Sequence, residues 1–65
     1  MKKEIKHLTF LRIITYVSGG IEAKFYPSDD SLYITNNNKQ RISISGDHLD
    51  FLIKVIEEVQ GERGK

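Results

Sequence analysis

The sequence predicts an α+β domain: a four-stranded antiparallel meander followed by one C-terminal helix, ββββα. Three observations carry that prediction. The chain before Ser45 is rich in β-branched and aromatic residues and, from Ile21 onward, alternates apolar with polar. It is interrupted by runs of turn formers at Ser18-Gly19-Gly20, Pro27-Ser28-Asp29-Asp30 and Asn36-Asn37-Asn38-Lys39. In the last third, Leu49, Leu52, Ile53, Ile56 and Val59 follow the three-and-four spacing of a helix.

Met1–Glu4 reads as a polar lead-in. Ile5–Val17 reads mostly as one long strand, with a short helix over Lys2–Leu8 as the alternative because Ile5 and Leu8 are three apart. Its alternation is imperfect. Leu11, Ile13 and Val17 share one parity, and Leu8, Phe10, Ile14 and Tyr16 the other. Such a strand is buried on both faces or carries a bulge. In Ile21–Tyr26, Ile21, Ala23 and Phe25 face one way, and Glu22, Lys24 and Tyr26 the other. In Leu32–Thr35, Leu32 and Ile34 point inward. In Gln40–Ser45, Ile42 and Ile44 do so. The short turns make successive strands antiparallel neighbours. The helix then covers one face of the sheet, and the other carries Glu22, Lys24, Tyr26, Tyr33, Thr35, Arg41 and Ser43.

The helix is expected to start at an Asp47 cap, with Ser45 as the rival, and to stop at Gly61. Phe51, Val55 and Val59 widen its apolar face to about 200°, where one core needs a stripe a little over 100° wide. Two readings stay open: a deeply seated helix, or a flank of Phe51, Val55 and Val59 that meets a second copy of the chain.

Sixty-five residues predict a single small domain over 1–65, with 1–4 and 61–65 frayed. A chain of this size is marginal alone. It has no Cys and only two His, far apart, so disulfides and a structural metal are not expected, and oligomerisation is the support left open. The cysteine-free composition fits a cytoplasmic protein, and no apolar run approaches the roughly 20 residues that span a bilayer. No targeting segment is evident. Net charge is +1, which selects no partner. The sheet segment is nevertheless basic and the helix segment acidic.

Catalysis needs convergent groups, and none is legible. Gly19-Gly20 lacks the spacing and the following Lys-Ser/Thr of a phosphate loop. Asp29-Asp30 reads as a turn, Asp47-His48 as a helix start and His7 as a surface residue. No enzyme, catalytic residue, metal or cofactor is expected. The outward sheet face is the more informative constellation. Tyr26 and Tyr33 offer rings for base stacking, and Lys24, Lys39 and Arg41 offer charge for phosphates, the combination that binds single-stranded nucleic acid.

The layout resembles the single-stranded-DNA-binding domain of the transcriptional coactivator positive cofactor 4 and its small bacterial relatives. The residues that carry the resemblance are Gln40-Arg41-Ile42-Ser43-Ile44-Ser45 leading into Gly46-Asp47-His48-Leu49, and Lys24-Phe25-Tyr26, within Ile21–Val59. Gln40-Arg41 stands where the family has Lys-Gly, the family's second-strand aspartate has no clear match, and Trp is absent. The resemblance implies a homodimer packed through its helices and nucleic-acid contacts through its sheets, in transcription regulation. The functional expectation is a non-catalytic, homodimeric single-stranded nucleic-acid-binding module. The alternative is a small regulatory protein-interaction module, such as a mobile-element inhibitor or adaptor, that uses the wide helix face on a protein partner.

Overall fold

Antiparallel pairing runs through the whole first two-thirds of the chain. The computed structural model describes residues 1–65. Its elements are β1 (Lys2–Leu8), β2 (Leu11–Ser18), β3 (Ile21–Tyr26), β4 (Ser31–Thr35), β5 (Arg41–Ser45) and α1 (Asp47–Arg63). The strands form one sheet in the order β1-β2-β3-β4-β5.

The sheet therefore has five strands where the sequence predicts four. Neither a single strand over Ile5–Val17 nor a helix over Lys2–Leu8 forms. The chain reverses at Thr9-Phe10, and Leu8 pairs with Leu11. The double-sided apolar pattern is real but needs no bulge. Ile14 and Tyr16 lie on the apolar face of the sheet, while Leu11, Ile13 and Val17 lie on the other with Leu8. Lys2, no part of a loose lead-in, pairs with Val17. β1 is an open edge, and Lys2, Lys3 and Lys6 along it discourage pairing with another sheet.

Residues directly opposite in register share a face. Ile5, Ile14, Phe25, Leu32 and Ile44 form one apolar row across all five strands. Lys3, Tyr16, Ala23, Ile34 and Ile42 form the next, with the Lys3 ammonium 5.7 Å from the Tyr16 ring centroid. The strand faces expected from Ile21 to Ser45 are those observed. Only Ile14 (8% exposed) and Leu49 (7%) are buried apolar residues.

The helix does not lie over that apolar face as expected. It meets the sheet chiefly at β5. Leu49 is buried and Leu52 half-buried, but Ile53 and Ile56 are exposed along with Phe51, Val55 and Val59. The radius of gyration is 13.2 Å, where about 10.7 Å suits a compact chain of this length. The helix leaves the sheet through Gly46, whose φ of 57° and ψ of −128° suit glycine alone. Gly46 N–H donates to the Asp30 carbonyl (3.2 Å), and its own carbonyl accepts from Leu49 (3.0 Å) and Asp50 (3.1 Å). Gly46 is thus the N-cap, with no side-chain cap bond. Asp47 is the first helical residue, where its charge favours the helix dipole. Gly61 lies inside the helix, which continues to Arg63. A single glycine in a helix costs only about 1 kcal/mol, too little to end one.

Gly46→Ala should lower stability by about 1–3 kcal/mol, the cost of holding a non-glycine residue in this region. Open space surrounds the added carbon, so crowding cannot be the cause. Chemical denaturation with an unchanged midpoint would show that this link does not hold the helix direction.

Candidate nucleic-acid interface

The polar face of the sheet is assembled by register. Lys24 sits opposite Tyr33, which sits opposite Ser43. Glu22 sits opposite Thr35, which sits opposite Arg41. Tyr26 and Arg41 are the diagonal neighbours of Tyr33 on either side, within reach of long and aromatic side chains. Both diagonals are occupied. The Tyr26 and Tyr33 rings meet edge-on, with centroids 5.3 Å apart and planes at 86°. The Arg41 guanidinium lies 4.4 Å from the Tyr33 ring centroid. Lys24 Nζ lies 3.7 Å from Glu22 Oε1.

These side chains surround a depression of about 230 Å³ lined by Glu22, Lys24, Tyr26, Tyr33, Thr35 and Arg41. Four of the five expected nucleic-acid contacts are therefore gathered in one place. Lys39 is not: it stands in the β4–β5 turn and does not line the depression. That turn is organised by Asn36. Its Oδ1 accepts from the backbone N–H groups of Asn38 (3.0 Å) and Gln40 (3.0 Å), and its Nδ2 donates to Gln40 Oε1 (2.9 Å). Lys39 takes a left-handed φ of 61° to complete it. The turn thus delivers Arg41 to the first position of β5, facing Tyr33.

Chemically, the arrangement offers aromatic surface, a stacked guanidinium and one ammonium shared with a carboxylate. Glu22 offsets part of the positive charge. No three His, Cys, Asp or Glu side chains are grouped to hold a metal ion, and no helix is long and apolar enough to cross a membrane.

A second depression, of about 290 Å³, adjoins the first on the same face. Glu4, Lys6, Leu8, Ile13, Thr15, Glu22 and Lys24 line it. Sequence reasoning missed this half because it depends on the β1–β2 hairpin. The doubled apolar parity of Leu8–Val17 was the one signal for it.

The residues expected at a dimer interface, Phe51, Val55 and Val59, run down one exposed flank of α1 among Lys54, Glu58, Glu62 and Arg63. Phe51 is 67% exposed. On the apolar face of the sheet Ile5, Ile21 and Ile42 are exposed as well.

No protein family, no curated protein and no solved structure matches this chain.

The contact between Tyr33 and Arg41 should be measurable. A double-mutant cycle with Tyr33→Leu and Arg41→Gln, read by chemical denaturation, is expected to give a coupling of about 0.5–1 kcal/mol, as for exposed cation–π pairs. Zero coupling would mean that the guanidinium is not held on the ring.

Proposed function

We propose that the chain is a non-catalytic module that binds single-stranded nucleic acid and works as a homodimer. The observation that carries this reading is the gathering of Tyr26, Tyr33, Lys24 and Arg41 around one depression on the polar face. Bases stack on any aromatic face, and cations beside them hold the phosphates, so recognition is sequence-tolerant and salt-sensitive. Tyr26 and Tyr33 stack bases, Lys24 and Arg41 hold phosphates, and Lys39 meets the strand further along as it leaves β5. The resemblance of Lys24-Phe25-Tyr26 and Ile42-Ser43-Ile44-Ser45 to the positive cofactor 4 family points to the same chemistry.

The homodimer is supported by surface area. The chain exposes 5484 Å², whereas a compact protein of its mass exposes about 4,200 Å². The excess of roughly 1,200 Å² exceeds the ~800 Å² per partner of a standard interface. The exposed flank of α1 and the uncovered apolar face of the sheet supply it, with Phe51, Val55 and Val59 at the contact.

The same exposed flank favours a second reading, a regulatory module that seats a protein partner on Phe51 and Val55. On that reading Val55→Glu abolishes a partner contact while the monomer stays folded, and the polar face binds no nucleic acid.

Two experiments test the proposal. In fluorescence anisotropy with a labelled single-stranded oligonucleotide, replacing Lys24 and Arg41 together by Gln should weaken binding about tenfold or more. It should also lower the salt slope by about 1–1.5, since each lost phosphate contact removes about 0.7. Unchanged affinity in the double variant would refute the site. In sedimentation, the unaltered chain should run as a dimer and Phe51→Glu as a folded monomer. A dimer that survives this change would place the interface elsewhere.

A further inference from the structure

The charges that frame the two uncovered apolar surfaces are opposite in sign. On the apolar face of the sheet, Lys3 stands opposite Tyr16 and His7 opposite Arg12, in step with Ile5 opposite Ile14. Lys3 and Arg12 are the charged residues of that face, and no acidic residue of any strand shares it. Helix α1 is the reverse, with Asp47, Asp50, Glu57, Glu58 and Glu62 against Lys54 and Arg63. Lys3 and Arg12 make no ion pair, and neither does Glu57. Glu57 is four residues beyond Ile53 and so flanks the exposed pair Ile53 and Ile56. Helix on helix, or sheet face on sheet face, sets like charges together. Helix on sheet sets opposite charges together. The dimensions agree. Beyond Leu52 the helix runs from Ile53 to Arg63, about 16 Å at 1.5 Å per residue, and β3 and β4 are about 17–20 Å long. Tyr16, Ile21 and Ala23 of the apolar face, with Met1, line a depression of about 270 Å³ beside them.

We propose that the apolar face of the sheet is the seat for α1 of a second copy. The helix lies along β3, with Ile53 and Ile56 over Tyr16 and Ala23, and Glu57 turned toward Lys3 and Arg12 on the β1–β2 side. Its other flank, Val55 and Val59, turns toward the partner's own α1 at β5. The bonds at Gly46 direct each helix away from its own sheet, so the helix that covers the face comes from the other copy. A two-fold axis makes the contact twice. The roughly 1,200 Å² by which each copy's 5484 Å² exceeds a compact chain is then divided between its helix and its sheet, against the ~800 Å² per partner of a standard interface. This rests on the homodimer part of the proposed function and assigns it an arrangement. It is independent of nucleic-acid binding, because Lys3, Arg12 and Ala23 lie on the face opposite Tyr33 and Lys24.

The chain contains no Cys, so single introduced thiols report contacts between copies. Ile56→Cys and Ala23→Cys are purified separately, mixed, left to exchange subunits and treated with a short bis-maleimide. The expected product is a covalent dimer that joins one variant to the other, with linked peptides mapping to positions 56 and 23. Ile56→Cys linking only to itself, or a chain that sediments as a dimer and gives no mixed product, would overturn the arrangement and leave the homodimer standing. A chain that sediments as a monomer and gives no mixed product would overturn both. The two changes combined in one chain, linking within a monomer, would show α1 folded back over its own sheet and would also overturn it. Charge reversal tests the same contact without a cross-link. Lys3→Glu with Arg12→Glu should weaken the dimer about tenfold or more, and Glu57→Lys added to them should recover part of the loss. A dimer unchanged by the reversal would overturn the pairing.

Discussion

Apolar surface exceeds what this chain can cover by itself, and the backbone at Gly46 is the reason. A helix that folded back over the sheet would bury Ile53 and Ile56 against the row of Ile14, Phe25, Leu32 and Ile44. At Gly46 the chain instead takes a positive φ, locked by its bonds to Asp30, Leu49 and Asp50. Leu49 reaches the sheet and the rest of the helix runs past it. Both the sheet's apolar face and the helix flanks are left open, so two surfaces share one need for a cover. On the proposed homodimer, a second copy would present both at once.

The two sides of the sheet are consequently specialised. The apolar side carries the cross-strand rows that hold the sheet together and that a partner copy would complete. The polar side is free of that duty, and its side chains are ordered by one another. Tyr33 is central there: its ring and that of Tyr26 meet edge to face, and Arg41 lies over it. Such mutual contacts restrict rotamers before any ligand arrives, which lowers the entropy that binding must remove. The β4–β5 turn belongs to the same device, because the Asn36 side chain fixes where β5 begins and hence where Arg41 stands.

Much of this was legible in the sequence, and the failures have identifiable causes. From Ile21 to Ser45 the alternation is clean and the turns are rich in Gly, Pro, Asp and Asn, so strand faces and the membership of the polar depression could be read directly. Before Ile21 the reading missed a turn. Thr9-Phe10 contains no residue that favours reversal, and apolar Leu8 and Leu11 on either side, with the β-branched Ile13, Ile14 and Thr15 beyond, mimic a continuous strand. Pairing decided it: Ile5 finds Ile14 and Leu8 finds Leu11 only if the chain turns back. At the helix ends, Asp47 and Gly61 have the right chemistry for a cap and a stop. The geometry of Gly46 had already supplied the first, however, and continued backbone bonding to Arg63 overrode the second.

Local chemistry by itself determined that this is an antiparallel meander followed by a helix, and which residues from Ile21 to Ser45 share each sheet face. These follow from side-chain periodicity and turn preference, which act over a few residues. The tertiary structure alone decided the number of strands, the direction of the helix and the second depression that the β1–β2 hairpin adds to the polar face. Those depend on pairing between distant segments and on one glycine torsion, and neither leaves a periodic trace in the chain.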